Sequence, residues 1–420
     1  MNSQKLFNRN FTIIAVGQFI SLLGNSLQRF AFSLFILDLT GSAMIFSIIV
    51  AVTFLPQILF SPFGGAIADR FSKKWIMVIL DSISGLMLLA FYFYFSNTQN
   101  ISCLMIGILM FLMTIIQSIY DPDVRASIPC VTSESNLSGA NSVVSIISAL
   151  TNMLGPVAAG FLYGLYGIKT ILLINTISFL VSAIMELFII LPFNKTAMTD
   201  NVLKVFVNDI KDAGFFLIHT KPIIFKMIVI SSSLNLFLTP VYSVGMPYME
   251  KIVFGVSDQL YGFAEGLVGA GMIIGALITG VISKKIPFEK LYKYFYAVTF
   301  SIVIMGACTL PVIMSATGPS YTSYVMFTAS AFILSVAISI VNILCMTYLQ
   351  KEIDIKYMGK AMALTIAMSN SLYPLGQIFI GGLYNIFSSA LWFTYAIITI
   401  CALVITVIMK GMLVKEFPER

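Results

Sequence analysis

The ten residues GAIADRFSKK, Gly65–Lys74, lie between two long apolar runs of the sequence. Gly65 allows the backbone of another helix to approach closely. Asp69 can cap a neighbouring helix, because an anion is favoured at a helix N-terminus. Basic residues hold a loop on the cytoplasmic side of a membrane, and the segment has three of them: Arg70, Lys73 and Lys74. The segment is therefore predicted to be a short cytoplasmic hairpin between two membrane-spanning helices.

The composition of the whole chain excludes a soluble globular protein. Of the 420 residues, 59% are hydrophobic and 10% are charged, and the mean hydropathy is +0.96, whereas soluble domains carry about 25% charged residues. A membrane span needs about 20 apolar residues, and its backbone groups must be bonded within the segment, which makes each span a helix. We predict twelve such helices, at residues 11–37, 43–67, 75–96, 101–120, 139–165, 170–192, 224–246, 259–282, 291–314, 321–348, 360–384 and 388–410.

The distribution of charge predicts how these helices are oriented. With the N- and C-termini in the cytoplasm, nearly all of the 24 Lys and Arg residues fall on the inner side, as the positive-inside rule requires. The net charge of +6 is therefore a consequence of topology and implies no nucleic-acid partner. The five cysteines lack paired spacing, so they indicate neither disulfides nor a metal site. We expect a monomeric, multi-pass protein of a bacterial-type plasma membrane that binds no cofactor.

Polar residues form a stripe along one face of the first predicted span. They recur at helical spacings of three and four, and they are Gln18, Ser21, Asn25, Gln28 and Arg29. A polar stripe in a membrane helix faces a bundle interior or a water-filled cavity. We therefore expect these residues to line a substrate cavity, together with Gln117 of the fourth span. Arg29 either acts directly in transport or forms a structural ion pair.

Three carboxylates lie near the cytoplasmic ends of the predicted spans. The fourth span is expected to end at Asp121-Pro122, because proline is poorly tolerated inside a helix. Asp121 either pairs with Arg70 of the hairpin or caps the helix end in contact with solvent. Asp81 either extends the charge network of the hairpin or reaches the cytoplasmic interface. Glu186 is expected to reach that interface, and the alternative is that it carries a proton.

The second half of the chain repeats features of the first. Four positions recur at matching places: Ser21 with Ser231, Asn25 with Asn235, Asn152 with Asn370, and Pro156 with Pro374. Internal repeats are typical of transporters built from two related bundles. We predict bundles at 1–192 and 223–420, joined at 193–222 by a cytoplasmic linker with an amphipathic helix. The polar faces of the seventh and tenth spans add three cavity residues: Asn235, Thr239 and Asn342.

A single carboxylate lies within the eighth predicted span. Glu265 stands in a glycine-rich run, and such runs favour tight helix packing. At this depth in a membrane an ionised carboxylate is costly, so Glu265 is a candidate proton carrier. The alternatives are a buried hydrogen bond or a pairing with Arg29.

Three patterns resemble known transporter motifs. The hairpin reads Gly-x-x-x-Asp-Arg-x-x-Lys-Lys and resembles the loop signature of the major facilitator superfamily. The segment Asp121–Ser142 is similar to a loop in the macrolide-efflux and enterobactin-exporter branch of that superfamily. In the fifth span and its repeat, a segment either resembles the core of a motif associated with antiporters or forms a structural kink. Its residues are Asn152, Gly155, Pro156, Gly160, Asn370 and Pro374.

The resemblance implies a fold and a mechanism. The fold is an all-α polytopic membrane protein with twelve helices in two pseudo-symmetric six-helix bundles, which open alternately to the two sides. The mechanism is proton-coupled efflux of amphipathic small molecules, of the macrolide or multidrug type. From their own positions in the predicted spans, Glu265 and Arg29 are the candidates for proton coupling. A conformational latch is implied at Gly65, Asp69, Arg70, Lys73, Lys74 and Asp121.

The same sequence also bears on functions other than efflux. The sequence contains no GxxxxGK[ST] phosphate loop and no HExxH or GxSxG motif, so we predict neither an enzyme nor an ATP-driven pump. The 23 Met and 35 Phe residues can form an adaptable apolar cavity, which favours an amphipathic substrate. An importer or a lipid or metabolite transporter of the same fold is the main alternative. A non-transporting receptor or scaffold would not need polar faces on four helices.

Overall fold

In the computed structural model, the chain folds into helices, and the described part contains no strand. The described residues are 6–98, 101–133, 136–191, 214–215, 217–282, 288–315, 321–353 and 355–416. Within them, several side chains lie outside the description, at 61–66, 68–70, 282, 315, 355–360 and 363. This arrangement confirms the predicted all-α polytopic fold.

Five long helices form the first part of the chain, each from a largely apolar run. They are α1 (Arg9–Thr40), α2 (Ala43–Arg70), α3 (Lys73–Asn97), α4 (Cys103–Val131) and α5 (Leu137–Glu186). The backbone is not helical at Gly167, so the 50 residues of α5 form two helices that meet at this residue. The segment α5 therefore contains both the fifth and the sixth predicted spans.

Seven helices longer than ten residues follow in the described part of the chain. They are α6 (Pro222–Phe237), α7 (Asp258–Ile282), α8 (Tyr292–Ala307), α9 (Tyr321–Glu352), α10 (Ile355–Ser371), α11 (Tyr373–Ile386) and α12 (Leu391–Glu416). After α6, two π-helical segments, Val241–Gly245 and Met249–Val253, continue the predicted seventh span. In the described residues, nine helical segments are long and apolar enough to cross a membrane.

A glycine separates the two spans within α5. Gly167 has φ 69° and ψ −175°, a conformation that is essentially restricted to glycine. A Cβ atom built on Gly167 would meet nothing within 4 Å. The backbone conformation, and not a lack of space for a side chain, therefore requires glycine at this turn.

We expect Gly167→Ala to destabilise the protein by about 1–3 kcal/mol, because alanine is strained at this φ and ψ. Thermal unfolding of the purified protein in detergent measures the effect. Gly411→Ala is the matched control, since Gly411 also has free space around it but no positive φ. An unchanged unfolding midpoint for Gly167→Ala would show that the turn carries no such strain.

The fourth span does not end where the sequence predicts. Instead of stopping at Pro122, α4 continues through Pro122 and Pro129 to Val131. Apolar residues of this extension are buried in one core cluster with residues of α1, α3 and α5; the extension contributes Val124, Ile128 and Val131. Burial of this face outweighs the backbone hydrogen bonds that the prolines remove, so the predicted helix end is wrong.

The helices gather into two compact units. The first comprises Met1–Leu39, Val52–Val202 and Asp258–Gly266, and the second comprises Thr40–Ala51, Leu203–Ser257 and Leu267–Arg420. Most of the predicted linker at 193–222, with its amphipathic helix, lies outside the described residues. The division into bundles at 1–192 and 223–420 stays a prediction.

Within the first unit, the start of α7 packs against α5 through two glycines. A Cβ atom on Gly262 would lie 2.6 Å from the carbonyl oxygen of Pro156 and 3.1 Å from Cα of Gly160. A Cβ atom on Gly160 would lie 2.5 Å from the carbonyl oxygen of Asp258. Because the opposing atoms belong to the backbone, a side chain at either glycine would force the helices apart. This contact fixes the turn of α7 that leads to Glu265.

Candidate functional site

A polar network connects three helices in the first unit. The Asn25 amide donates to Gln117 Oε1 (2.8 Å), and Gln117 Nε2 in turn donates to Asp121 Oδ1. Beside this chain, Arg29 Nη2 donates to Asn152 Oδ1 over 3.4 Å. The network therefore brings together residues of α1, α4 and α5 that the sequence singled out separately.

The second unit has a polar network at the corresponding repeat positions. The Asn235 amide donates to the carbonyl oxygen of Ser369 (2.8 Å) and to Asn370 Oδ1 (3.4 Å). Thr239 Oγ1 donates to Asn235 Oδ1 (2.8 Å). Asn235 and Asn370 are the repeats of Asn25 and Asn152, so each of these positions makes polar contacts in its own unit.

The polar network of the second unit lies at the wall of a cavity of about 360 Å³. None of the described residues that line this cavity is charged. Its apolar wall includes Met227, Leu234, Phe295, Val341, Met346 and Met409. Its polar wall includes Ser231, Asn235, Thr239, Asn342, Ser369 and Asn370. The cavity thus combines a flexible apolar surface with one group of amides and hydroxyls.

Three residues of the α1 stripe, Gln18, Ser21 and Gln28, are buried. Ser21 Oγ donates to Asp81 Oδ2 of α3 (3.1 Å), and Gln28 Oε1 accepts a hydrogen bond from Asn175 Nδ2 of α5. Ser21 and Gln28 thus bond to neighbouring helices, and that the three side chains line a substrate cavity stays a prediction.

Glu265 has a tyrosine as its partner. Tyr261, one turn earlier on α7, donates to Glu265 Oε1 over 3.3 Å. The Tyr261 ring stacks on Phe30 of α1, with 4.5 Å between the ring centroids. Of the two structural alternatives for Glu265, the structure shows the hydrogen bond.

The expected latch is described only in part. The side chains of Gly65, Asp69 and Arg70 lie outside the described residues. Asp121 accepts its hydrogen bond from Gln117, and the cations that act on it are Arg125 and Arg29. The latch therefore stays a prediction, with the members Gly65, Asp69, Arg70, Lys73, Lys74 and Asp121.

A different carboxylate of α4 interacts electrostatically with the hairpin. Asp123 is fully buried, and Lys73 acts on it. Among the described residues, the cations that act on Asp121 are instead Arg125 and Arg29. The sequence offered no means to choose between two aspartates that are only two positions apart.

The sequence analysis also missed a buried glutamate of the second unit. Glu250 lies in the π-helical continuation of α6, beyond the predicted end of the seventh span at residue 246. Its Oε1 accepts a hydrogen bond from Thr328 Oγ1 of α9 (3.1 Å). π-Helical segments occur frequently at functional sites, but a hydropathy profile contains no signal for them.

Comparison with known proteins places this arrangement among membrane transporters. The sequence model of the Major Facilitator Superfamily matches residues 14–376. The chain is 22% identical over 376 residues to Macrolide efflux protein A of Streptococcus pyogenes, which covers 88% of this chain and 87% of that relative. It is 24% identical over 293 residues to the Staphyloferrin A transporter of Staphylococcus aureus, which covers 69% of this chain and 71% of that relative.

Solved structures with the same fold also match nearly the whole chain. A bacterial homologue of the iron transporter ferroportin, in an inward-facing state, matches with a TM-score of 0.73 at 16% identity, over 98% of this chain and 100% of that one. The nucleoside transporter NupG matches with a TM-score of 0.70 at 14% identity, over 96% of this chain and 98% of that one. At these identities the likeness shows the fold alone.

Proposed function

The chain belongs to the Major Facilitator Superfamily of membrane transporters, and from this premise we propose that it exports amphipathic small molecules in exchange for protons. One observation carries the proposal. The cavity of the second unit is bounded by apolar side chains and by one group of neutral polar side chains, without a charged residue in its described lining.

This lining favours one class of substrate. Burial of a charge without a partner is strongly unfavourable, so a multiply charged metabolite would find no counterion in this cavity. Mostly apolar walls with a few polar groups are typical of small-molecule sites. Methionines such as Met227, Met346 and Met409 adapt their shape to different apolar surfaces. The group around Asn235 supplies hydrogen bonds that would orient the polar end of an amphipathic molecule.

Export is favoured by the relatives. Macrolide efflux protein A matches over 88% of this chain, and the segment Asp121–Ser142 carries the efflux-type pattern. The Asn152–Gly160 segment, with its antiporter-like residues, packs against α7 through Gly160. These observations support export over import, and the direction of flux is what the first experiment measures.

The driving force is proposed to be a proton gradient. One charge that crosses a potential of 100 mV supplies about 2.3 kcal/mol, which is enough for a useful concentration ratio. Glu265 is the proposed carrier in α7, because an ionised carboxylate inside a membrane is costly and is most easily accommodated with a proton. Arg29, which belongs to the polar network of α1, α4 and α5, is the second residue proposed for proton coupling.

Flux in proteoliposomes of known orientation tests the proposed function. A lipophilic dye and a macrolide are followed with and without an imposed pH gradient. We expect uphill movement of at least one compound, which collapses when a protonophore is added. Flux that ignores the gradient, or movement only in the opposite direction, would overturn proton-coupled export and favour the importer.

We expect Glu265→Gln to abolish gradient-driven flux while binding of the dye is retained, because glutamine keeps the shape and the hydrogen bond to Tyr261 but carries no exchangeable acid. Flux and equilibrium binding are measured on the same preparation. Glu352→Gln is the control, since Glu352 is a partly exposed carboxylate paired with Lys221 over 2.9 Å. Undiminished proton-coupled flux in Glu265→Gln would remove Glu265 from the mechanism.

The hairpin is proposed to act as the latch of the transport cycle. Asp69 and Arg70 are its expected charged members, and the electrostatic attraction of Lys73 for Asp123 supports a role of the hairpin charges. Loss of the latch would slow transport and leave the substrate cavity intact.

A further inference from the structure

A second cluster of carboxylates lies inside the first unit, away from Glu265. Four helical segments contribute to it: α1, α3, α4 and the end of α5. Its members are Gln18, Ser21, Asp81, Tyr120, Ser182 and Glu186. The two carboxylates were expected near the cytoplasmic interface. Asp81 is 1% exposed and Glu186 is 2% exposed, so the prediction for Glu186 is wrong, and Asp81 does not reach the interface either.

Each carboxylate accepts one hydrogen bond from a neutral hydroxyl. Ser21 Oγ donates to Asp81 Oδ2 over 3.1 Å, and the Tyr120 hydroxyl donates to Glu186 Oε1 over 2.7 Å. Ser182 lies beside both carboxylates, and the Gln18 amide lies beside the Tyr120 hydroxyl. The cluster is therefore built from two acids and four neutral polar side chains.

The cluster lacks hydrogen-bond partners for several buried atoms. In the described part of the chain, Glu186 Oε2, Ser182 Oγ and Gln18 Nε2 have none. More than about nine in ten buried polar groups in proteins are bonded, so three open positions in one place are unusual. A proton on a carboxylate would change an acceptor into a donor and satisfy part of this deficit.

The charges around the cluster also favour a bound proton. The titratable groups that act on Glu186 are Asp81 of α3 and Tyr120 and Asp123 of α4, all neutral or acidic. Lys73 acts on Asp123 and is not among the groups that act on the two cluster carboxylates. Two ionised carboxylates that share a site disfavour each other's charge, and burial without a cation adds to this penalty.

The packing of α1 limits what else the cluster can hold. A Cβ atom on Gly17 would lie 3.2 Å from Ser182 Oγ and 4.0 Å from Glu186 Oε1. The backbone of α1 therefore closes the cluster on this side, so that even a methyl group would be tight. Ca²⁺ and Mg²⁺ take about six or more oxygen ligands, and among the described residues no group of His, Cys, Asp and Glu side chains could hold a metal ion. A proton requires no additional space.

We propose that Asp81 and Glu186 form a second proton-binding site, which takes up and releases a proton independently of Glu265. The proton from water binds one carboxylate oxygen of the pair, where the second carboxylate or Ser182 accepts the new hydrogen bond. On release it returns to water. The part that this site plays in transport rests on the proton-coupled export proposed above, whereas its proton binding is a property of the protein without substrate.

Infrared difference spectroscopy of the purified full chain in lipid nanodiscs tests the proposal directly. Spectra are compared between acidic and alkaline buffer, in H₂O and D₂O and without sodium, and the protonated carboxyl band is followed. We expect a titrating band from a buried carboxyl group that is lost in the Asp81→Asn, Glu186→Gln double variant. Glu352→Gln and Glu265→Gln should each leave this band in place.

A second variant keeps both acids, so it tests the proposal even if the double variant does not fold. Tyr120→Phe removes only the hydroxyl that donates to Glu186, and it should shift the frequency and the titration midpoint of the same band. A double variant with an unchanged band, or Tyr120→Phe with neither shift, would overturn the proposal. A band that titrates only when sodium is added would also overturn it, because the site would then take a metal cation.

This test separates the second site from the proposed export. If the band is present and flux is independent of the pH gradient, the second proton site is supported and the proton-coupled export mechanism is refuted. If flux is proton-coupled and the cluster shows no titrating band, the export mechanism stands and the second site falls.

Discussion

Gly262→Ala is expected to destabilise the protein by about 3 kcal/mol, at the upper end of the usual cost of overpacking. The new methyl group would lie 2.6 Å from the carbonyl oxygen of Pro156 and 3.1 Å from Cα of Gly160. Backbone atoms cannot change rotamer to make room, so α5 and α7 must separate along this contact. Thermal unfolding in detergent and in nanodiscs measures the loss.

The same helix provides a matched control for this prediction. Gly280 also belongs to α7, is exposed, and has nothing within 4 Å of a built Cβ atom. Because alanine is favoured over glycine in a helix by up to about 1 kcal/mol, Gly280→Ala should be neutral or stabilising. Equal unfolding midpoints for the two variants would contradict the close glycine contact.

Asn342→Trp is expected to weaken binding of a bulky amphipathic dye at least tenfold, which corresponds to about 1.4 kcal/mol. Asn342 lies on α9 and lines the cavity of about 360 Å³ in the second unit. An indole ring at this position would occupy space that the substrate needs. Equilibrium binding of the dye to the purified protein measures the effect.

Two controls distinguish a filled cavity from a damaged protein. Asn342→Ala leaves the cavity open and should retain dye binding within a few-fold. Ile333→Trp places the same indole on the same helix at a position that is 49% exposed, and it should leave binding unchanged. Full-strength binding by Asn342→Trp would show that the substrate lies elsewhere.

The helices were predictable because the decisive signal is local. An apolar run of sufficient length must form a helix in a membrane, whatever its neighbours are. The end of α4 was not predictable by the same reasoning. Pro122 disfavours a helix locally, but the burial of Val124, Ile128 and Val131 against other helices decides the outcome, and such contacts cannot be read from one segment.

For the polar residues of the candidate site, the helix face could be predicted from the sequence, but the contact partners could not. Helical spacing correctly places Ser21 and Asn25 near one face of α1, but it does not tell which neighbour each one meets. Ser21 contacts Asp81 of α3, whereas Asn25 contacts Gln117 of α4. The directions of the two side chains around the helix axis differ by only a few tens of degrees. The positions of the neighbouring helices therefore decide which partner each side chain meets.

Buried carboxylates were the least predictable feature. From sequence, Glu186 stands close to the end of an apolar run, where a carboxylate is expected to turn toward water. The structure instead supplies Tyr120 as a hydrogen-bond donor from a helix 66 positions away in the chain. Long-range partners of this kind have no local sequence signal.

Substrate-driven proton movement tests the central claim most directly. Proteoliposomes are loaded with a pH-sensitive dye, and a gradient of the macrolide or the lipophilic dye is imposed without any pH gradient. Proton-coupled exchange predicts that downhill substrate flux moves protons in the opposite direction, with loss of this signal in Glu265→Gln. Substrate flux with no change of internal pH, or with protons that move in the same direction as the substrate, would contradict it.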